Sequence, residues 1–180
     1  MNDKLQEVAY RIKFAIMDYR IWRIYTEPGD RAKYLEVLRR YNSFFSTSLR
    51  AHFLAVIITL YSLYETRRDS ISLSRLVQDT PDDKLRHELQ PILDEARSIW
   101  RKIAILRNEV FAHLSDTDCE TKLADAKLSP NEIERLIELS KHLVNKLSYT
   151  SDHTVDVFNA DPTTDTYKLL NTLRREIRSQ

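Results

Sequence analysis

The chain has 180 residues, of which 28 are basic, 27 acidic and a single one glycine, for a formal net charge of +1. Average usage of about 7% would give roughly a dozen glycines. Sheets, hairpins and phosphate-cradling loops need glycine at positive φ, so a P-loop, a dinucleotide fold and a β-sandwich are excluded, and no global field steers the chain to nucleic acid or membrane. The lone Cys119 excludes an internal disulfide and a cysteine-based zinc site. What remains is a single all-α domain over residues 1–180, expected as a bundle of about five to seven helices.

Asp3 to Tyr25 reads as the first helix. Leu5, Val8, Ile12, Ala15, Ile16 and Tyr19 form one stripe, and Phe14, Met17, Ile21 and Ile24 form a second roughly opposite it. A helix apolar on two faces must be covered on both, either by a further internal helix or by a second subunit. Glu27-Pro28-Gly29-Asp30 breaks the pattern, with Pro28 stopping the helix, Gly29 closing it and Asp30 capping the next, to about Tyr41. Asn42 to Ser48 is polar enough to interrupt, unless one long kinked helix runs through it. Leu49 to Glu65 is apolar nearly all round and is expected to be the most buried helix.

Ser70 or Ser72 starts a short helix to Gln78. Thr80-Pro81-Asp82-Asp83 supplies a cap, a proline at the first position and carboxylates at the positive end of a helix reaching about Phe111. Its stripe is Leu85, Leu89, Ile92, Ala96, Ile99, Ile103, Leu106 and Val110, with Pro91 as a point of kinking. Leu114 to Leu128 lacks periodicity and reads as a loop. Ser129-Pro130-Asn131-Glu132 is a complete capping box opening a helix to about Tyr149. Residues 151–180 are expected as a linker followed by a loosely packed helix, Thr164 to Arg178. The most apolar stretch, Phe53 to Tyr64, has about half the ~20 residues of a membrane span. With a charged N-terminal stretch, this points to a cytoplasmic protein without a membrane partner.

Metal sites are argued against by the absence of a His-Glu-x-x-His motif and of a Glu three residues before any His. His52, His87, His142 and His153 are scattered. Ile105-Leu106-Arg107-Asn108-Glu109-Val110-Phe111-Ala112-His113 differs. With the stripe centred near Ile103 and Val110, Arg107 falls about 50° to one side and His113 about 70° to the other. A guanidinium flanking an apolar seam needs a carboxylate or a bound anion, since desolvating it unpaired costs several kcal/mol. The two side chains stand about 9 Å apart along the axis and diverge by about 120°, so one straight helix cannot bring both onto one phosphate. They converge if the helix ends near Ala112 or if a second copy supplies the other half. Glu109, four residues before His113, can accept a hydrogen bond from its imidazole. The same residues also admit a structural role, with His113 at the negative helix end and Arg107 paired to a carboxylate such as Glu65.

Arg107-Asn108, then Ala112-His113, near the end of a long helix in a small helical chain resembles the HEPN superfamily, and most closely its abortive-infection branch, the AbiU-like HEPN proteins. Arg107 and His113 have five residues between them, with Asn108 in the usual polar slot. Leu63-Tyr64-Glu65 and Ser70 to Leu76 look similar too. The resemblance implies a metal-independent ribonuclease needing no cofactor, usually a homodimer whose two motifs share one cleft. It implies that His113 moves a proton on the 2′-OH or the leaving 5′-oxygen, that Arg107 holds the scissile phosphate, and that Asn108 positions the motif. RNA is then the substrate, and a protein antitoxin an expected partner. Tyr61, Tyr64 and Glu65 on the central helix are candidates to line the cleft. The rival readings are a non-catalytic helical interaction module and, third, a small-nucleotide binder.

Overall fold

The computed structural model describes residues 2–67, 69–112, 127–149, 158–159 and 161–179, with side chains for all of these but 2, 109–112 and 149. Among the described residues there are seven helices and no strand. They are α1 (Asn2–Thr26), α2 (Pro28–Arg40), α3 (Asn42–Leu63), α4 (Leu73–Gln78), α5 (Asp83–Ala112), α6 (Pro130–Tyr149) and α7 (Thr163–Ser179).

The heptad-like seams pack as their spacing requires. Leu5, Val8, Ile12, Ala15, Ile16 and Tyr19 are all buried on α1. On α5 the buried line is Leu85, Leu89, Leu93, Ala96, Ile99, Ile103 and Leu106. Leu93 takes the place expected for Ile92, which is half-buried at the edge; Val110 is among the side chains not described. The helix passes through Pro91 without ending. α1 packs on α3 and α6, and α5 packs on the same two, so these four helices close a ring around the main core.

The connections are tighter than the punctuation suggests. Glu27 is the residue between α1 and α2, Pro28 stands at the start of α2, and Gly29 lies inside its first turn at negative φ. The break is thus made by proline's missing N–H at a helix start, not by a left-handed glycine or by Asp30. Tyr41 alone, at φ −113° and ψ 40°, separates α2 from α3. The expected interruption over Asn42 to Ser48 is absent because Phe45 is buried there, edge-on to Tyr25 at 5.6 Å. α3 is in consequence long and apolar enough, by length and composition, to cross a membrane. In this fold it lies between α1 and α5, tied to α1 by His52 Nδ1 and Asp18 Oδ1 at 2.7 Å.

The cap of α5 also moves. Asp82 Oδ1 accepts the backbone N–H groups of Lys84 and Leu85 at 2.9 and 3.1 Å, whereas Thr80 turns back to donate its hydroxyl to the Leu76 carbonyl at 2.8 Å. The α6 capping box forms as written: the Glu132 N–H donates to Ser129 Oγ at 3.2 Å, and the Ser129 N–H to Glu132 Oε2 at 2.9 Å. Lys102 on α5 reaches Glu132 Oε1 at 2.6 Å and ties that helix start to the bundle.

A second, smaller core joins α2 and α7 to the adjoining ends of α1 and α3. Ile24, Tyr25, Tyr34, Val37, Phe45 and Leu170 fill it. Tyr34 donates to Asn171 Oδ1 at 3.0 Å, and Tyr167 donates to Asp30 Oδ2 at 2.6 Å. Leu170 and Tyr167 thus set one face of α7 against this smaller core. This annex also answers the second stripe of α1. Ile24 is buried and Met17 and Ile21 half-buried, while Phe14 stays 55% exposed. The expected loop over Leu114 to Leu128 and the linker from Ser151 lie largely outside the described residues.

Candidate functional site

The motif helix is held rigidly up to the point that matters. Ile103 and Leu106 are fully buried, so their neighbour Arg107 emerges at the edge of the seam and is half-buried. That is the flank position its phase on the stripe requires. Its guanidinium lies over the ring of Tyr61 on α3, 4.7 Å from the ring centre. Nη1 donates to Asn108 Oδ1 at 3.2 Å. Asn108 itself is exposed.

Tyr61 is gripped from its other neighbour. The Trp100 ring stacks on it with centroids 5.7 Å apart and planes 29° off parallel. The Trp100 Nε1–H donates to the Tyr61 carbonyl at 3.0 Å. Trp100 and Arg107 are seven residues apart, which is two turns along one face of α5, and Ala104 between them carries only a methyl group. The sequence signal for Trp100 is its seven-residue spacing from Arg107.

The other residues named from sequence divide. Tyr64 is fully buried and its hydroxyl meets Ser140 Oγ at 2.7 Å, which places it in the core. Burial pushes its phenol well above the ordinary range. The α3 register explains this, since Tyr64 follows Leu60 and Leu63 onto the inner face while Tyr61 turns outward to α5. Glu65 is half-buried at the end of α3 and holds Arg67, Nε to Oε1 at 2.6 Å. The side chain of Glu109 is not described, and His113 lies outside the described residues.

Chemically, the described part of the site is a fixed cation at the end of an aromatic stack. A guanidinium presents in-plane N–H donors suited to phosphate or carboxylate oxygens. Among the described residues no three His, Cys, Asp or Glu side chains gather to hold a metal ion. A groove of about 500 Å³ runs between α5 and α6 beside Glu95, Arg135, Glu138 and His142. It stands roughly 18 Å back along α5 from Arg107, and its charges are matched internally. Arg135 pairs with Glu95 at 2.7 Å and Lys141 with Glu138 at 2.9 Å.

No curated protein and no solved structure matches the chain. The family model HEPN_AbiU2, described as AbiU2, matches residues 4–177, nearly the whole length. With its all-helical bundle, the chain belongs to the AbiU2 family of HEPN domains.

Proposed function

We propose that this HEPN module is a metal-independent endoribonuclease, acting as a homodimer in the cytoplasm in abortive infection or as a toxin. The observation that carries the reading is a half-buried arginine, lying over an aromatic ring, in a family-matched chain where His113 follows six residues later. RNA supplies its own nucleophile, so the protein needs only a proton-transfer group near neutrality and a fixed cation.

The step balances simply. One imidazole takes the proton of the ribose 2′-OH, and the 2′-oxygen forms a bond to phosphorus. The bond from phosphorus to the 5′-oxygen breaks, and the leaving oxygen takes a proton from the protonated His113 imidazole of the second copy. The products are a 2′,3′-cyclic phosphate and a 5′-hydroxyl. Arg107 binds the scissile phosphate and stabilises the charge that grows on it in the transition state. Asn108, bonded to Nη1, keeps that guanidinium turned towards the phosphate, and Glu109 orients His113 from one turn away. The roughly 120° between Arg107 and His113 on one straight helix is bridged by pairing two chains across a shared cleft. A net charge of +1 suits a selective nuclease held by a protein antitoxin better than one that binds any RNA, since general affinity scales with phosphates neutralised.

Purified protein incubated with RNA in a chelator is expected to release fragments ending in 2′,3′-cyclic phosphate. His113→Ala is expected to lower the rate by about 10²–10⁴-fold with helicity unchanged. Cleavage retained by purified His113→Ala rejects the nuclease and leaves the non-catalytic interaction module. A monomeric mass in light scattering at micromolar concentration removes the composite site.

A further inference from the structure

We propose that Tyr61 is a positioning residue for Arg107, clamped in place by Trp100, so that the guanidinium is oriented before the phosphate arrives. This rests on the reading of Arg107 as the phosphate-holding group. A free arginine side chain samples many rotamers, and freezing it on binding weakens both affinity and transition-state stabilisation. Here the guanidinium carbon sits 4.7 Å from the Tyr61 ring centre, inside the roughly 6 Å reach of a cation–π contact. A guanidinium stacked on a ring by its flat face keeps its in-plane N–H donors for a phosphate, so the two interactions are compatible.

The ring is itself fixed. Trp100 stacks on it at 5.7 Å and donates its indole N–H to the backbone carbonyl of the same tyrosine at 3.0 Å. Three side chains from two helices thus form one column, Trp100, Tyr61 and Arg107, whose lower end packs against the main core. No other role for the Tyr61 hydroxyl is needed, since the electrons that attract the cation belong to the ring. Tyr61→Phe is therefore expected to act as the conservative rescue.

The test is a series at position 61: Tyr61→Phe, then phenylalanine analogues with one, two and three ring fluorines, then Tyr61→Leu. Fluorine withdraws ring electron density with little change of shape, so packing is preserved while the attraction for a cation falls stepwise. The readouts are kcat and KM for RNA cleavage, the affinity for a 2′-O-methyl RNA that cannot be cleaved, and Tm. The expected result is wild-type kcat/KM for Tyr61→Phe, a graded loss through the fluorinated series totalling about 2- to 5-fold, and a larger loss for Tyr61→Leu. Tm stays level across the aromatic series. A flat kcat/KM through the fluorinated series, in a protein that Arg107→Ala inactivates, overturns the positioning role and leaves the nuclease reading intact. An inactive wild-type protein, or full activity in Arg107→Ala, removes the nuclease reading itself. Should Tyr61→Leu fail to fold, the isosteric fluorinated series still decides the matter.

Discussion

Tyr64 and Ser140 offer a sharp check on the core that carries the motif helix. Ser140 Oγ donates to the Leu136 carbonyl at 2.7 Å, so its one hydrogen is committed. It must therefore accept the hydrogen of Tyr64, whose oxygen lies 2.7 Å away. The pair is asymmetric as a result. Tyr64→Phe removes a donor and leaves Ser140 bonded to Leu136, which costs about 1 kcal/mol. Ser140→Ala strands a phenol that is only 1% exposed, and an unpaired buried hydroxyl costs about 2 kcal/mol. In a chain of this size these correspond to losses of about 2–4 °C and 4–8 °C in Tm. The double variant strands nothing, so it is expected to fall short of the sum by about 1 kcal/mol or more. Thermal and urea unfolding of all four proteins measure the cycle, and RNA cleavage by Tyr64→Phe is expected to match wild type. Additive losses, or a milder effect from Ser140→Ala than from Tyr64→Phe, refute the assigned direction of the chain of bonds.

Leu170→Ala, which opens a hole in the smaller core at a residue 1% exposed, is expected to cost about 2–5 kcal/mol; a Tm change below about 1 °C shows that α7 is not part of the cooperative unit. Stability should also form a plateau in pH. On the acid side, hydrogen bonds from Lys146 and Arg135 hold Glu88 and Glu95 below their usual 4.5, and for Glu132 burial pushes upward but is outweighed by Lys102 and Ser129. The folded state therefore gains from ionised carboxylates, a gain present above the unfolded value and lost as pH falls below about 4.5. On the alkaline side, burial pushes Tyr19 up to about 12 and raises Tyr25 and Tyr64 above the usual 10.0. The unfolded chain ionises first, so this contribution is complete below about 10 and lost above it. A urea midpoint that changes steeply between about pH 6 and 9 contradicts this assignment.

Much of this protein was legible because helix signals are local. A single glycine and seams repeating every three or four residues demanded a helical bundle, and the capping box at Ser129 and Glu132 needs no distant partner to form. The position of Arg107 beside its seam was legible for the same reason, since phase along one helix is set by counting residues. The boundaries that went wrong are those where burial overruled local chemistry. Polar residues around Asn42 suggested a gap, yet Phe45 is buried in the smaller core there, and α3 begins at Asn42. Thr80 and Asp82 are equally good caps in sequence; Thr80, buried in the fold, turns back to Leu76, and Asp82 caps α5.

From the sequence alone came the fold class, the helix order, the buried faces and the Arg-Asn-x-x-x-Ala-His pattern, because each depends on residues within about one or two helical turns of one another. The tertiary structure alone decided which partners lie across the bundle. It set Tyr61 under Arg107 with Trp100 behind it, withdrew Tyr64 into the core against Ser140, and laid α7 on α2 through Leu170. Those pairings join residues 39 to 137 positions apart, and contacts at that range follow from how four helices fill one volume, which no local pattern encodes.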